Sequence, residues 1–151
     1  MFFKRSAAIN FLSDEEKKEI VLAIQKAEKK TSGEIRVFIE KKCRYVDPLD
    51  RAVEIFYQLK MSETIHHNSV LIYVAYKDRQ MAVYGDKGIH EKVGNEYWTK
   101  TVKEILGCFK EGNIFRGLET GIAYLGGALV EHFPYHNEDK NELTDDIVFG
   151  D

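Results

Sequence analysis

Apolar residues first recur at helical spacing just after Ser13. Ile20, Ala23, Ile24 and Ala27 form one stripe with polar residues between them, which predicts an amphipathic helix running to about Lys30. Ser13-Asp14-Glu15-Glu16 reads as the capping box that starts it: the Ser13 hydroxyl accepts from the amide three residues on, and Glu16 reaches back. Thr31-Ser32-Gly33 stops it. From Glu34 to Glu40 the period changes to two, with Ile35, Val37 and Ile39 on one face and Arg36 and Glu40 on the other, a strand with at least one buried face. Asp47 and Pro48 suit the N-cap and first position of a second helix, whose stripe is Ala52, Val53, Phe56 and Leu59.

Val70 to Tyr76 is apolar throughout, which predicts a strand covered on both faces. Lys77-Asp78-Arg79 is a hairpin turn, and Gln80 to Tyr84 the returning strand. Gly85-Asp86-Lys87-Gly88 reads as a loop. Asn95 then caps a helix with Trp98, Val102, Ile105 and Phe109 inward, which breaks at Glu111-Gly112-Asn113. A last helix spans about Phe115 to His132, and Pro134 ends it. Gly117 and Gly121 share a face of this helix. Each costs up to ~1 kcal/mol in a helix interior, so close packing of a neighbouring element is the expected compensation.

This order predicts an α/β fold: a small mixed β-sheet of three to four or more strands flanked by helices, an α/β/α sandwich. Two strands joined by a helix run parallel through a right-handed crossover, and the hairpin makes the third antiparallel. Residues 41–46 are a candidate further edge strand. The expected organisation is an arm over 1–11, one domain over 12–134 and an acidic tail over 135–151.

Length and charge narrow the picture. At 151 residues the chain matches one typical domain. Its net charge is −3, yet the stretch 136–151 holds six acids against Lys140, so the tail carries −5 and the rest +2. A nearly neutral body is not a nucleic-acid surface, which needs a basic face. No run approaches the ~20 apolar residues of a membrane span and no signal-peptide core is present, so no membrane association and a cytoplasmic location are expected. Two cysteines, Cys43 and Cys108, fit a reducing compartment better than a disulfide framework. The tail reads as solvated and disordered. Its apolar triplet Ile147-Val148-Phe149 offers two alternatives, docking on an unknown protein partner or back onto the body.

Chain direction places the candidate chemistry. The starts of the two parallel strands and the end of the third lie on one edge of the sheet. Residues 32–34, 66–69 and 85–91 therefore converge. Asp86 and Glu34 are possible carboxylate ligands for Ca2+ or Mg2+, with Asn68 and Ser32 completing an oxygen shell. Gly85 and Gly88 permit close backbone approach to a ligand, and Lys87, His67 and His90 are nearby donors. The bland reading leaves Asp86 and Asn68 as ordinary turn residues. The opposite edge collects Cys43, Asp47, Asp50, Lys77, Asp78 and Arg79. Its acids are already explained by capping and turn formation, so it is the weaker candidate.

From Leu12 to about Phe133 the chain resembles the TPM domain family, named for a thylakoid lumen protein, a photosystem II repair factor and an acetylcholine-receptor modulator. The matching pieces are the Leu12–Glu16 start, the Thr31–Val37 strand entry, Asp50-Arg51-Ala52, Asn68 to Ala75, Asp78-Arg79 and Gly85-Asp86-Lys87-Gly88-Ile89. Ser69, Asp86 and His90 depart from the residues frequent in the family. The resemblance, which is to the short cytosolic bacterial branch, implies an α/β sandwich with divalent-cation binding, acid phosphatase activity or no activity. Three readings follow: weak, non-catalytic binding of Ca2+ or Mg2+ at the converging edge; a metal-assisted phosphatase there, with catalytic residues unknown; and an interaction module acting through the tail.

Overall fold

The structure is a computed structural model that describes residues 12–135 and 147–150. Helix α1 (Asp14–Glu28) opens with the expected capping box, in which Glu16 N–H donates to Ser13 Oγ at 3.0 Å and Ser13 N–H to Glu16 Oε1 at 2.9 Å. Strand β1 (Glu34–Glu40) leads to α2 (Pro48–Gln58), where the Asp47 side chain accepts from Leu49 N–H. The hairpin of β2 (Ser69–Ala75) and β3 (Gln80–Gly85) turns through Arg79 in the left-handed region, at φ 54°. Then come α3 (Lys87–Val93), α4 (Asn95–Lys110), α5 (Ile114–His132) and a two-residue strand β4 (Val148–Phe149).

The sheet order is β3-β2-β1-β4. β1 and β2 are parallel, β2 and β3 antiparallel, as chain direction requires. Alternation along the strands sorts two cores. Ile35, Val37, Ile39, Val70, Ile72 and Val74 face α1, α4 and α5. Phe38, Leu71, Tyr73 and Ala82 face Ala52, Ile55 and Phe56 of α2. All seven residues of β2 are buried, which explains its unbroken apolar run. On α5, a Cβ at Gly117 would stand 2.6 Å from the Phe109 ring and one at Gly121 2.5 Å from Ile105, so these glycines do let α4 approach. The end of α5 clamps the start of β1: Ser32 N–H donates to Phe133 O, and Tyr135 N–H to Lys30 O.

Four expectations are corrected. Residues 85–88 are not a loop: Gly85 closes β3, Asp86 is the N-cap of α3, and the helix begins at Lys87. Asn95 is not the cap of α4; Gly94, at φ 80°, fills that position, which favours glycine. Residues 41–46 form no strand. The added strand comes instead from the tail, whose apolar triplet docks on the body. Phe38 pairs with Val148 and Ile39 with Phe149 in parallel, Gly150 N–H donates to Ile39 O at 2.8 Å, and Ile147 is buried. Joining an open sheet edge satisfies backbone groups that a solvated tail would leave to water. The arm (1–11) and the acidic stretch 136–146 lie outside the described residues.

The buried tyrosines set an alkaline limit. Loss of solvation raises Tyr73, Tyr97 and Tyr76 above the ordinary value of 10.0, and Tyr84 to about 12. Unfolded, these phenols ionise first, so the folded state holds more protons above pH 10. Their contribution to stability is full below that pH and is lost as pH rises through the folded values. Tyrosinate absorbance of these four is expected to rise in step with loss of circular dichroism. Their ionisation with the fold intact would contradict this.

Candidate functional site

The register carries the converging edge into a defined row. Glu34 pairs with Ser69, and Val70 with Gly85. Asp86 N–H donates to Ser69 O at 2.9 Å, which extends the ladder one residue past β3. Glu34, Ser69 and Asp86 thus lie side by side on the α2 face of the sheet. At ~4.8 Å per strand, the two acids have Cα atoms about 10 Å apart. Both are buried, at 2% and 4% exposure. Ser69 between them donates to Met61 O in the connection after α2. One row on, the buried Arg36 shares this face.

Asp86 has two roles visible in its contacts. Oδ1 accepts from Lys87 N–H at 2.8 Å and caps α3, while Oδ2 lies 3.3 Å from His67 Nδ1. His67 itself sits at φ 51°, an uncommon conformation for a residue with a Cβ. The 66–68 turn is held in place by α3: Ile89 N–H donates to His67 O at 3.2 Å.

Asn68 and Ser32 reach the same edge but face each other. Asn68 Nδ2 donates to Ser32 Oγ at 3.1 Å, and the buried Asn68 Oδ1 has no hydrogen-bond partner among the described residues. The glycines serve packing. A Cβ at Gly85 would stand 2.4 Å from the Trp98 ring, and one at Gly88 2.2 Å from His66 O and 2.5 Å from His67 O. They admit neighbouring protein where ligand approach was expected. His90 is likewise committed, its Nδ1 accepting from Trp98 Nε1–H at 2.9 Å. Lys87 is exposed. Among the described residues no group of three or more His, Cys, Asp or Glu side chains is arranged to hold a metal ion. The edge therefore offers two carboxylates, an amide oxygen and hydroxyls, not a closed cage.

The TPM domain family model matches residues 7–128. The chain belongs to the TPM domain family. This TPM domain is similar to the BA42 protein of the psychrophilic bacterium Bizionia argentinensis, solved by NMR, with 45% identity and a TM-score of 0.86 over 99% of this chain and 100% of that one. It shares its fold with the N-terminal domain of a protein from P. gingivalis (16% identity, TM-score 0.69, covering 84% of this chain and 83% of that one). It also shares it with the N-terminal domain of the cg2496 protein of Corynebacterium glutamicum (12%, 0.65, covering 85% and 83%). No curated protein matches. Among the described residues no helix is long and apolar enough to cross a membrane.

The opposite edge of the TPM domain holds a network that sequence reasoning missed. Glu40, at the end of β1, accepts from Arg51 Nε at 2.9 Å and Nη2 at 3.0 Å, and from the hydroxyl of the fully buried Tyr73. Arg51 also pairs with Glu54, which accepts from Tyr45 Oη. The carboxylate of Glu40 holds the Arg51 guanidinium above its already high ordinary value. Asp78 accepts from Cys43 N–H at 2.7 Å, tying the hairpin turn to the chain after β1. The available signal was an acid ending one strand and an arginine in the first turn of the next helix.

Proposed function

We propose that this TPM domain binds a divalent cation, Ca2+ or Mg2+, weakly at the edge formed by residues 32–34, 66–69 and 85–91. The observation that carries the reading is the cross-strand row that places two buried carboxylates, Glu34 and Asp86, on one face of the sheet. A hard cation suits oxygen donors of this kind. Asp86 Oδ2 is the exchangeable ligand, since His67 holds it only at 3.3 Å, while Oδ1 stays on the helix cap. Asn68 Oδ1 supplies a neutral oxygen at the same edge, with Ser32 beside it. Two carboxylates with Arg36 one row away give little net negative charge. The affinity belongs roughly in the millimolar range.

Phosphoryl transfer at this edge finds less support. It needs cationic donors around the transferred group, and His90 is committed to Trp98. The tail's apolar triplet, a possible partner-binding element, is engaged on β1.

Titration of Ca2+ and Mg2+ followed by amide shifts tests the cation reading. Signals from 32–34, 66–69 and 85–91 are expected to move together. Asp86→Asn keeps an N-cap side chain but removes the charge, and is expected to weaken binding about tenfold or more, the loss of one charged ligand contact. Silence at these amides, or shifts that survive Asp86→Asn unchanged, would reject the site.

A further inference from the structure

A cavity lies on the other face of the sheet from Glu34 and Asp86, and at its other edge. Its volume is about 490 Å³, within the roughly 300–1,000 Å³ of small-molecule sites. Val74, Ala75 and Tyr76 at the end of β2 form one wall, and Leu106, Phe109 and Ile114 of α4 and α5 the other. This lining is apolar, as in most ligand pockets. The charged side chains on it are both cationic: Arg79 from the hairpin turn and Lys110 from the last turn of α4. Both are exposed, and neither has an ion-pair partner among the described residues. Asp78, the acid nearest in sequence to Arg79, is turned to Cys43 N–H instead.

Two cations that have no ion-pair partner among the described residues, at the rim of an apolar hollow, select a ligand with an apolar body and one anionic head. We propose that this cavity binds a small amphipathic monoanion of the acyl or aryl carboxylate class. The apolar part lies against the half-buried Leu106, Phe109 and Ile114, and the head is held by Arg79 and Lys110. The site is separate from the cation-binding edge: it lies where β2 ends, whereas the acids lie where β1 and β2 begin. Arg79 suits the role for a backbone reason as well. Its left-handed conformation is set by the hairpin, so the side chain leaves a rigid turn.

Octanoate and its neutral counterpart octanamide are the probes, followed by amide shifts of the full chain. Octanoate is expected to move signals from 74–80 and 106–114 and to bind about tenfold more tightly than octanamide, the difference one charge-assisted contact supplies. Arg79→Asn, in which asparagine tolerates the positive φ, and Lys110→Gln are each expected to reduce octanoate binding and, together, to erase its advantage. Ile114→Trp, which fills the hollow, is expected to exclude both probes while the remaining amide signals report an intact fold. Equal binding of the two probes overturns the ionic part of the proposal. No binding of either, or shifts confined to other regions, overturns the site itself.

Discussion

Gly88→Ala is expected to destabilise the domain by about 2–3 kcal/mol. Two effects oppose each other at this position. Alanine gains up to ~1 kcal/mol over glycine inside a helix, and Gly88 is the second residue of α3. Against this, the new Cβ would stand 2.2 Å from His66 O and 2.5 Å from His67 O. These are backbone atoms of a turn already strained at His67 and pinned by Ile89 N–H, so they cannot swing aside as a side-chain tip would. Overpacking of this kind costs typically 1–3 kcal/mol and occasionally more, and the upper end applies here. The clash wins. A melting midpoint lower by roughly 5–10 °C is expected from the usual 2–4 °C per kcal/mol at this chain length. Gly107→Ala is the control: at this exposed position of α4 the added Cβ meets nothing within 4 Å, so only the propensity gain remains and the midpoint should rise slightly. If both variants melt alike, the contact between α3 and the 66–67 turn is not as close as described. Because that turn also positions Asn68 and His67, Gly88→Ala should weaken the proposed cation binding as well.

Much of this arrangement is legible in the chain itself. Ser13 and Glu16 announce α1 through local bonds, and Asp47-Pro48 does the same for α2. β2 declares its depth through seven consecutive residues that suit a doubly covered strand. The meeting of Glu34 and Asp86 at one edge follows from strand direction alone. That they share a face does not, because parity depends on a register only the paired strands define. α3 was hidden because seven residues carry barely two turns of periodicity, and Asp86 suits a turn as well as a cap. β4 was hidden because two residues have no pattern, and its place is decided by the free edge of β1. The packing roles of Gly85 and Gly88 were hidden for the same reason: their neighbours, Trp98 and the 66–67 carbonyls, are tertiary. Glu40 was left undecided: strand alternation sends it away from Ile35, Val37 and Ile39, and a pattern that fixes only one buried face leaves its own face open, whereas that face is a second core under α2.

Glu40→Ala is expected to cost about 2–3 kcal/mol and to be the most damaging change in the network at the end of β1. Removing one partner of a buried ion pair costs roughly 3–5 kcal/mol when the other charge is left without compensation. Here the Arg51 side chain retains 21% exposure and water can take up part of its charge, so the upper range does not apply. The phenol of Tyr73 has no such relief. Its residue is fully buried, and its hydroxyl would lose the carboxylate it donates to. Glu40→Gln should be milder, because an amide oxygen still accepts from Tyr73 or Arg51. Tyr73→Phe should be milder again, about 1 kcal/mol, since Glu40 keeps both bonds to Arg51. The order Glu40→Ala, Glu40→Gln, Tyr73→Phe in denaturant midpoints checks the scheme. A Glu40→Ala/Tyr73→Phe double variant should lose less than the two single losses added, because each single change removes the same bond. Additive losses would mean that Tyr73 and Glu40 do not act on each other. None of these variants touches Glu34, Asp86 or Asn68, so the amide shifts that the proposed cation site predicts for Ca2+ at the opposite edge should persist in every one that remains folded.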